Sequence, residues 1–185
     1  AEAQSTFAEA YDGDPDIAVP RVRLHTSRVL VTDWLDGTPL SRLITEGDQE
    51  ERNRAGMLFT RFLFSGPARA GLLHADPHPG NFRITPDGRL GVVDYGLVAR
   101  LPDGLPETIG RLLRIALEDD FETVLEGLRE EGFIKPGKKV TAEQLNRYLA
   151  PFIDPARTER FRFDRNWMRS QFEHVSDIGP HGSSL

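Results

Sequence analysis

The stretch that most restricts the fold is Thr85-Pro86-Asp87-Gly88, set between the short apolar runs Phe82 to Ile84 and Leu90 to Val93. Proline followed by Asp-Gly favours a tight reversal, so residues 81–94 are predicted to form strand, turn and strand. The hairpin has a chemical consequence. It folds the chain back on itself, so Asn81 and Asp94, thirteen residues apart in sequence, emerge at the same end.

The residues leading into it, HADPHPGN from His74 to Asn81, carry most of the chemistry. His74 and His78 are four apart with Asp76 between them, which on a helix would put both imidazoles on one face for zinc. Pro77 and Pro79 break any such helix, and the glutamate that an HExxH metalloprotease uses as base is missing. A proline-rich turn around a buried histidine is the bland alternative. Taken with the hairpin, His74-x-Asp76-x-x-x-x-Asn81 followed by Asp94-Tyr95-Gly96 has the layout of a kinase catalytic loop and its metal-binding triplet. A carboxylate beside the acceptor hydroxyl orients it and takes its proton, the role expected of Asp76. Magnesium prefers a few hard oxygen ligands, with water and phosphate completing its shell, and Asn81 and Asp94 would supply them. His74 is expected to pack and hydrogen-bond behind the loop.

Around this centre, residues 1 to 11 read as the end of a helix stopped by DGDPD. Arg21 to His25 and Val29 to Asp33 read as paired strands about Thr26-Ser27-Arg28, and after Asp36-Gly37 a short helix restarts. Asp48 with Glu51 has the logic of a capping box for a helix from about residue 49, with Met57, Phe59, Phe62 and Leu63 as its apolar face. Gly66-Pro67 predicts a kink or an early end. Beyond residue 105 the pattern is helical. Ile109, Leu112, Leu113, Ala116 and Leu117 form one predicted buried face. Asp119 with Glu122 opens a further helix closed by Gly132, Thr141 with Gln144 another, and Asp154-Pro155 a fourth.

Composition limits the function classes. With 38% hydrophobic and 28% charged residues the chain should fold as a globular protein. No apolar stretch reaches the roughly 18 residues needed to cross a bilayer. A formal charge of -6 argues against a nucleic-acid partner. The absence of cysteine excludes disulfides and thiolate metal sites and fits a reducing compartment, so a cytoplasmic location is expected. The N-terminal residues lack the basic and apolar regions of a signal peptide, and with no initial methionine the chain reads as a fragment of something longer. All three lysines, Lys135, Lys138 and Lys139, share one short loop, and the other twenty basic residues are arginines.

HADPHPGN followed by DYG resembles the atypical kinase-like family that includes the UbiB and AarF proteins, whose triplet is usually DFG. VPRVRLHTSRVLVTDWLDGTPL looks like that family's strand-strand-linker passage, and RTERFRFDRNWMRSQF looks like its C-terminal region. The resemblance implies an α+β, protein-kinase-like fold: residues 1–36 as the end of the N-lobe, with a helix, two strands and the hinge, and residues 37–185 as a mostly helical C-lobe. It implies ATP and Mg2+ as cofactors, with nucleotide contacts from the hinge residues Asp33, Trp34 and Leu35, from His78 where many kinases have lysine, and from Asn81 and Asp94. Glu2 would be the glutamate that pairs with a phosphate-contacting lysine. No lysine precedes Lys135 and no glycine-rich phosphate loop precedes the motif, so the chain alone is expected to bind nucleotide poorly.

Only about ten residues separate Gly96 from the helix that Pro106 should open, and no APE follows, which leaves little room for a peptide-docking segment. A small or lipid-like substrate is therefore expected. The family similarity implies an ATP-dependent kinase or ATPase around isoprenoid-quinone or related lipid metabolism, peripheral to the inner membrane face. Two alternatives stand beside it: a phosphotransferase of the aminoglycoside or choline kinase type, against which Pro77 and Gly96 argue, and an inactive pseudokinase scaffold. From Arg157 to Arg169 five arginines interleave with Phe161, Phe163, Trp167 and Met168. They read either as a basic amphipathic helix on a membrane or, preferred, as a core helix packing Phe161, Met168, Phe172 and Val175 inward.

Overall fold

The computed structural model describes residues 1–164, 166–167 and 169–170. The chain divides into two compact units, residues 1–105 and 106–185. In the first, the elements in order are α1 (Glu2–Ala10), β1 (Ile17–Ala18), β2 (Val22–His25), β3 (Leu30–Thr32), β4 (Thr38–Pro39), α2 (Leu40–Glu46), α3 (Gln49–Ala70), β5 (Leu72–His74), a 3-10 turn (Pro79–Asn81), β6 (Phe82–Ile84), β7 (Leu90–Val92) and β8 (Val98–Arg100). The second contains α4 (Glu107–Leu117), α5 (Phe121–Glu130), α6 (Ala142–Ile153) and a 3-10 turn (Asp154–Arg157).

The predicted hairpin forms as β6 and β7, with Phe82 opposite Val92 and Ile84 opposite Leu90. Its turn is closed by the Gly88 amide donating to the Thr85 carbonyl at 2.8 Å, and Gly88 takes φ +85°, a conformation that disfavours any side chain. The hairpin is the middle of a four-stranded sheet, β1-β7-β6-β4. β1 joins β7 in parallel and β4 joins β6 antiparallel. β2 and β3 form a separate antiparallel ribbon, as predicted, and β5 pairs with β8.

The long helix α3 starts where the capping box places it. The Asp48 carboxylate accepts the Glu50 and Glu51 amides at 2.8 and 2.9 Å, and Glu51 accepts the Asp48 amide at 2.8 Å. Asp48→Ala should therefore cost about 1 kcal/mol, with amide exchange accelerating first in the opening turn of α3. Unchanged exchange there would show that the box contributes nothing.

Two expectations about α3 are corrected. Pro67 does not end α3: proline removes one amide near the C-terminus, the helix continues to Ala70, and the Gly71 amide returns to the Pro67 carbonyl at 3.0 Å. The buried face of α3 runs through Ala55, Leu58, Phe62 and Gly66, with Phe59 and Leu63 at its edges, while Met57 points to solvent at 73% exposure. The apolar types alone did not identify the face, because small Ala55 and Gly66 belong to it, Gly66 where Phe7 of α1 and Leu72 of β5 come close.

In the second unit, Leu112, Ala116, Phe121, Val124, Leu145 and Ile153 are buried together. Ile109 and Leu113 of the predicted α4 face are exposed. The cap of α5 is Asp120, whose side chain accepts the Thr123 amide at 3.2 Å, not Asp119, which takes φ +64°. Thr141 and Gln144 form the expected capping box on α6. Asp154-Pro155 starts no fourth α-helix, only the 3-10 turn that continues α6. Residues 158–164 are not helical, so the expected helix from Arg157 does not form across them. There Phe161, Phe163 and Trp167 pack edge to face with centroids 4.9 to 5.4 Å apart. Met168, Phe172 and Val175 lie outside the described residues.

Candidate active site

Strand β5 delivers the chain into the HADPHPGN loop, and its ladder to β8 holds both ends. His74 stands opposite Val98, and the Ala75 amide donates to the Leu97 carbonyl at 3.0 Å. The loop then tightens into the Pro79–Asn81 turn. His78 caps that turn, its Nδ1 accepting the Gly80 amide at 3.1 Å, and the Asn81 amide donates to the His78 carbonyl at 3.0 Å. These bonds aim Asn81 back at the loop. Its Nδ2 donates to an Asp76 carboxylate oxygen at 2.9 Å and to the Asp76 carbonyl at 3.2 Å.

The hairpin carries Asp94 to the same end. The Val93 amide donates to the Asn81 carbonyl at 2.9 Å, so Asp94 follows directly on a residue bonded to Asn81. The Asp94 side chain is exposed, and one of its carboxylate oxygens accepts the Gly96 amide at 2.7 Å. From behind, buried His74 donates Nε2–H to the Asp94 carbonyl at 2.7 Å, since a carbonyl can only accept. The His74 ring stands in an aromatic nest, with ring centroids of Phe82, Phe62 and Tyr95 at 5.1, 5.8 and 6.0 Å. Tyr95 packs on Phe7 of α1 at 5.6 Å and donates its hydroxyl to the Val92 carbonyl at 2.9 Å. Burial pushes the Tyr95 phenol well above its ordinary range, which keeps it a neutral donor. The two histidines share no site: His74 is buried and committed to Asp94, and His78 is exposed and caps the turn.

The oxygens left over suit a hard cation. Asn81 uses its amide nitrogen on Asp76, which leaves Oδ1, and Asp94 uses one carboxylate oxygen on Gly96, which leaves the other. Two such oxygens match a magnesium site completed by phosphate and water. Among the described residues no group of three or more His, Cys, Asp or Glu side chains is placed to hold a metal by itself.

The segment Asp33 to Leu35 is pinned at both ends. Arg23 holds the Asp33 carboxylate through two bonds of 2.6 and 3.0 Å, which keeps that carboxyl below its ordinary range, and the Asp33 amide donates to the Arg21 carbonyl at 3.0 Å. The Leu35 carbonyl accepts Arg83 Nη1 at 2.9 Å. Trp34 between them is 85% exposed. Leu35 lies flat on β7 because Gly91 is there: a Cβ at 91 would sit 2.5 Å from Leu35 Cδ2. Sequence reasoning missed Arg83, whose signal was an arginine inside the apolar strand Phe82–Ile84. Glu2 meets no lysine. Among the described residues it pairs with Arg100 of β8 at 3.0 Å, both exposed.

Residues 1–128 match the ABC1 atypical kinase-like domain. The protein ACTIVITY OF BC1 COMPLEX KINASE 1, chloroplastic, from Arabidopsis thaliana is 31% identical over 137 residues, 69% of this chain and 19% of that protein. A chloroplastic aarF domain-containing protein kinase of the same plant is 34% identical over 134 residues, 66% of this chain and 18% of that protein. The chain thus spans about a fifth of the length of either relative. The structure of Rv3197 from Mycobacterium tuberculosis, solved with erythromycin, superposes with a TM-score of 0.84 at 34% identity, over 92% of this chain and 44% of that one. The α+β fold is kinase-like, and the chain belongs to the ABC1 atypical kinase-like family.

Proposed function

We propose that this chain is the catalytic-loop portion of an ATP- and magnesium-dependent atypical kinase or ATPase of the UbiB type, acting on a small or lipid-like molecule. Residues 1–36 are the end of its N-lobe and residues 37–185 belong to its C-lobe. The observation that carries the reading is the Asp76 carboxylate bonded to Asn81 at the end of the hairpin that also presents Asp94. In this reading Asp76 orients an acceptor hydroxyl or water and takes its proton, while Asn81 and Asp94 give oxygens to the metal that neutralises the triphosphate. Asp33, Trp34 and Leu35 line the adenine through backbone groups, and His78 lies near the phosphates.

A small acceptor is supported by the short stretch after the triplet. Residues 97 to 101 are tied to β5, including the Leu101 amide to the Gly71 carbonyl at 2.7 Å, so only Pro102 to Leu105 remain before the second unit. The similarity to Rv3197, solved with erythromycin, supports it as well. Work on a lipid such as an isoprenoid quinone would be done at a membrane face; among the described residues no helix is long and apolar enough to cross a membrane. The test is isothermal titration of ATP into the full-length protein with and without magnesium. Heat should require magnesium, and Asn81→Ala should weaken MgATP binding by at least roughly 10- to 100-fold, the scale on which losing even a group that only supports a metal ligand acts. Absence of magnesium-dependent heat in the full-length protein would favour the scaffold reading.

A further inference from the structure

We propose that the loop from Gly132 to Val140, between α5 and α6, docks on an anionic lipid surface. The loop is held in shape. Ile134 is buried in the second unit's core, the amides of Phe133 and Ile134 return to the Leu128 carbonyl at 2.9 and 3.3 Å, and the Lys138 amide closes a turn on the Lys135 carbonyl at 3.2 Å. Because Ile134 is anchored inward, its neighbour Phe133 is held outward, 60% exposed. Lys135, Lys138 and Lys139 are exposed beside it, and the segment holds no acidic residue. The nearest carboxylates in sequence are Glu130 and Glu131, of which Glu131 accepts the Thr108 hydroxyl at 3.0 Å.

The choice of base is the second observation. Among the described residues all nine ion pairs use arginine, and none uses these lysines. Arginine's planar fork suits a fixed carboxylate or phosphate partner, whereas lysine is a flexible, hydrated point charge. Three unpaired lysines around an outward phenylalanine match a diffuse negative surface with an apolar layer beneath it. An acidic protein partner would not require the phenylalanine to stand out, so the bilayer is the better fit.

The experiment is co-sedimentation of the chain with vesicles of phosphatidylcholine containing 30% phosphatidylglycerol, and with pure phosphatidylcholine, at low and high salt. The chain should pellet with the anionic vesicles at low salt only. K135Q/K138Q/K139Q should lower the partition coefficient roughly 150-fold, the change that about 1 kcal/mol per lysine implies. Phe133→Ser should weaken binding on its own, at unchanged circular dichroism. Wild-type chain that stays in the supernatant, lysine variants that pellet equally, or binding to soluble polyglutamate in place of vesicles would each overturn the proposal. None of these readouts involves ATP, so they stand or fall apart from the phosphotransfer reading.

Discussion

Asp94→Asn in the full-length protein should lower ATP turnover by about 10²- to 10³-fold or more, the scale on which a preorganised charge at a transferring group acts, with no loss of folding stability. The substitution is nearly pure charge removal. Asp94 makes one side-chain bond, accepting the Gly96 amide at 2.7 Å, and an asparagine oxygen can accept it equally. The bonds that place residue 94, from the His74 side chain to its carbonyl and from the Val93 amide to the Asn81 carbonyl, do not use the Asp94 side chain and survive. What disappears is the negative charge that, in the proposed reading, faces the metal. Asp76→Asn is a different experiment: an asparagine oxygen can still accept Asn81 Nδ2, and what is lost is the carboxylate that, in the proposed reading, takes the proton. Turnover should be read beside the melting temperature. Full activity in the Asp94 variant would remove the phosphotransfer reading.

How far the fold was legible follows from which forces were local. The Thr85–Gly88 turn, the capping boxes at Asp48 and Thr141, and the β2–β3 ribbon are set by residues within a few positions of one another, and all were readable. The two-residue strands β1 and β4 were not, because they are strands only by virtue of partners elsewhere, Ile17 opposite Leu90 and Thr38 opposite Ile84. β8 likewise exists because it pairs with β5. The α4 face failed for another reason: periodicity says which residues could be buried together but not how wide a stripe the neighbours cover, and only Leu112 and Ala116 are fully covered. At the candidate site, the adjacency of Asp76 and Asn81 was legible in a five-residue spacing. The contacts supporting it, His74 to Asp94, Tyr95 to Phe7 and Arg83 to Leu35, span 20 to 88 positions and have no local signature.

The strongest of these hidden contacts ties the DGDPD turn to the end of α3, and its removal should be the largest stability effect in the first unit. Asp14 is buried at 7% exposure, with one carboxylate oxygen accepting the Asp16 and Ile17 amides at 2.9 Å each and the other bonded to Arg69. Arg69 also donates to the Ala10 carbonyl at 2.8 Å and lies 4.0 Å above the Tyr11 ring. Arg69→Ala leaves a buried carboxylate without its counter-charge, which should cost about 3 kcal/mol near neutral pH. Burial alone would raise the Asp14 carboxyl, but the Arg69 bond and the two amides outweigh it, so its folded value lies below its ordinary one. A depressed carboxyl stabilises the fold above its unfolded value, near 3.9, and that stability drains away as pH falls through the folded value. Without Arg69 the main lowering influence is gone, and protonation then relieves the buried charge at higher pH than in the wild type. The stability gap between wild type and Arg69→Ala should accordingly be widest above about pH 5 and shrink toward pH 3. Hydrogen exchange of α1 and the last turns of α3, followed across that range, reads it directly. A gap that stays constant with pH would mean that Arg69 acts through Tyr11 and the Ala10 carbonyl alone, leaving Asp14 held by its amides.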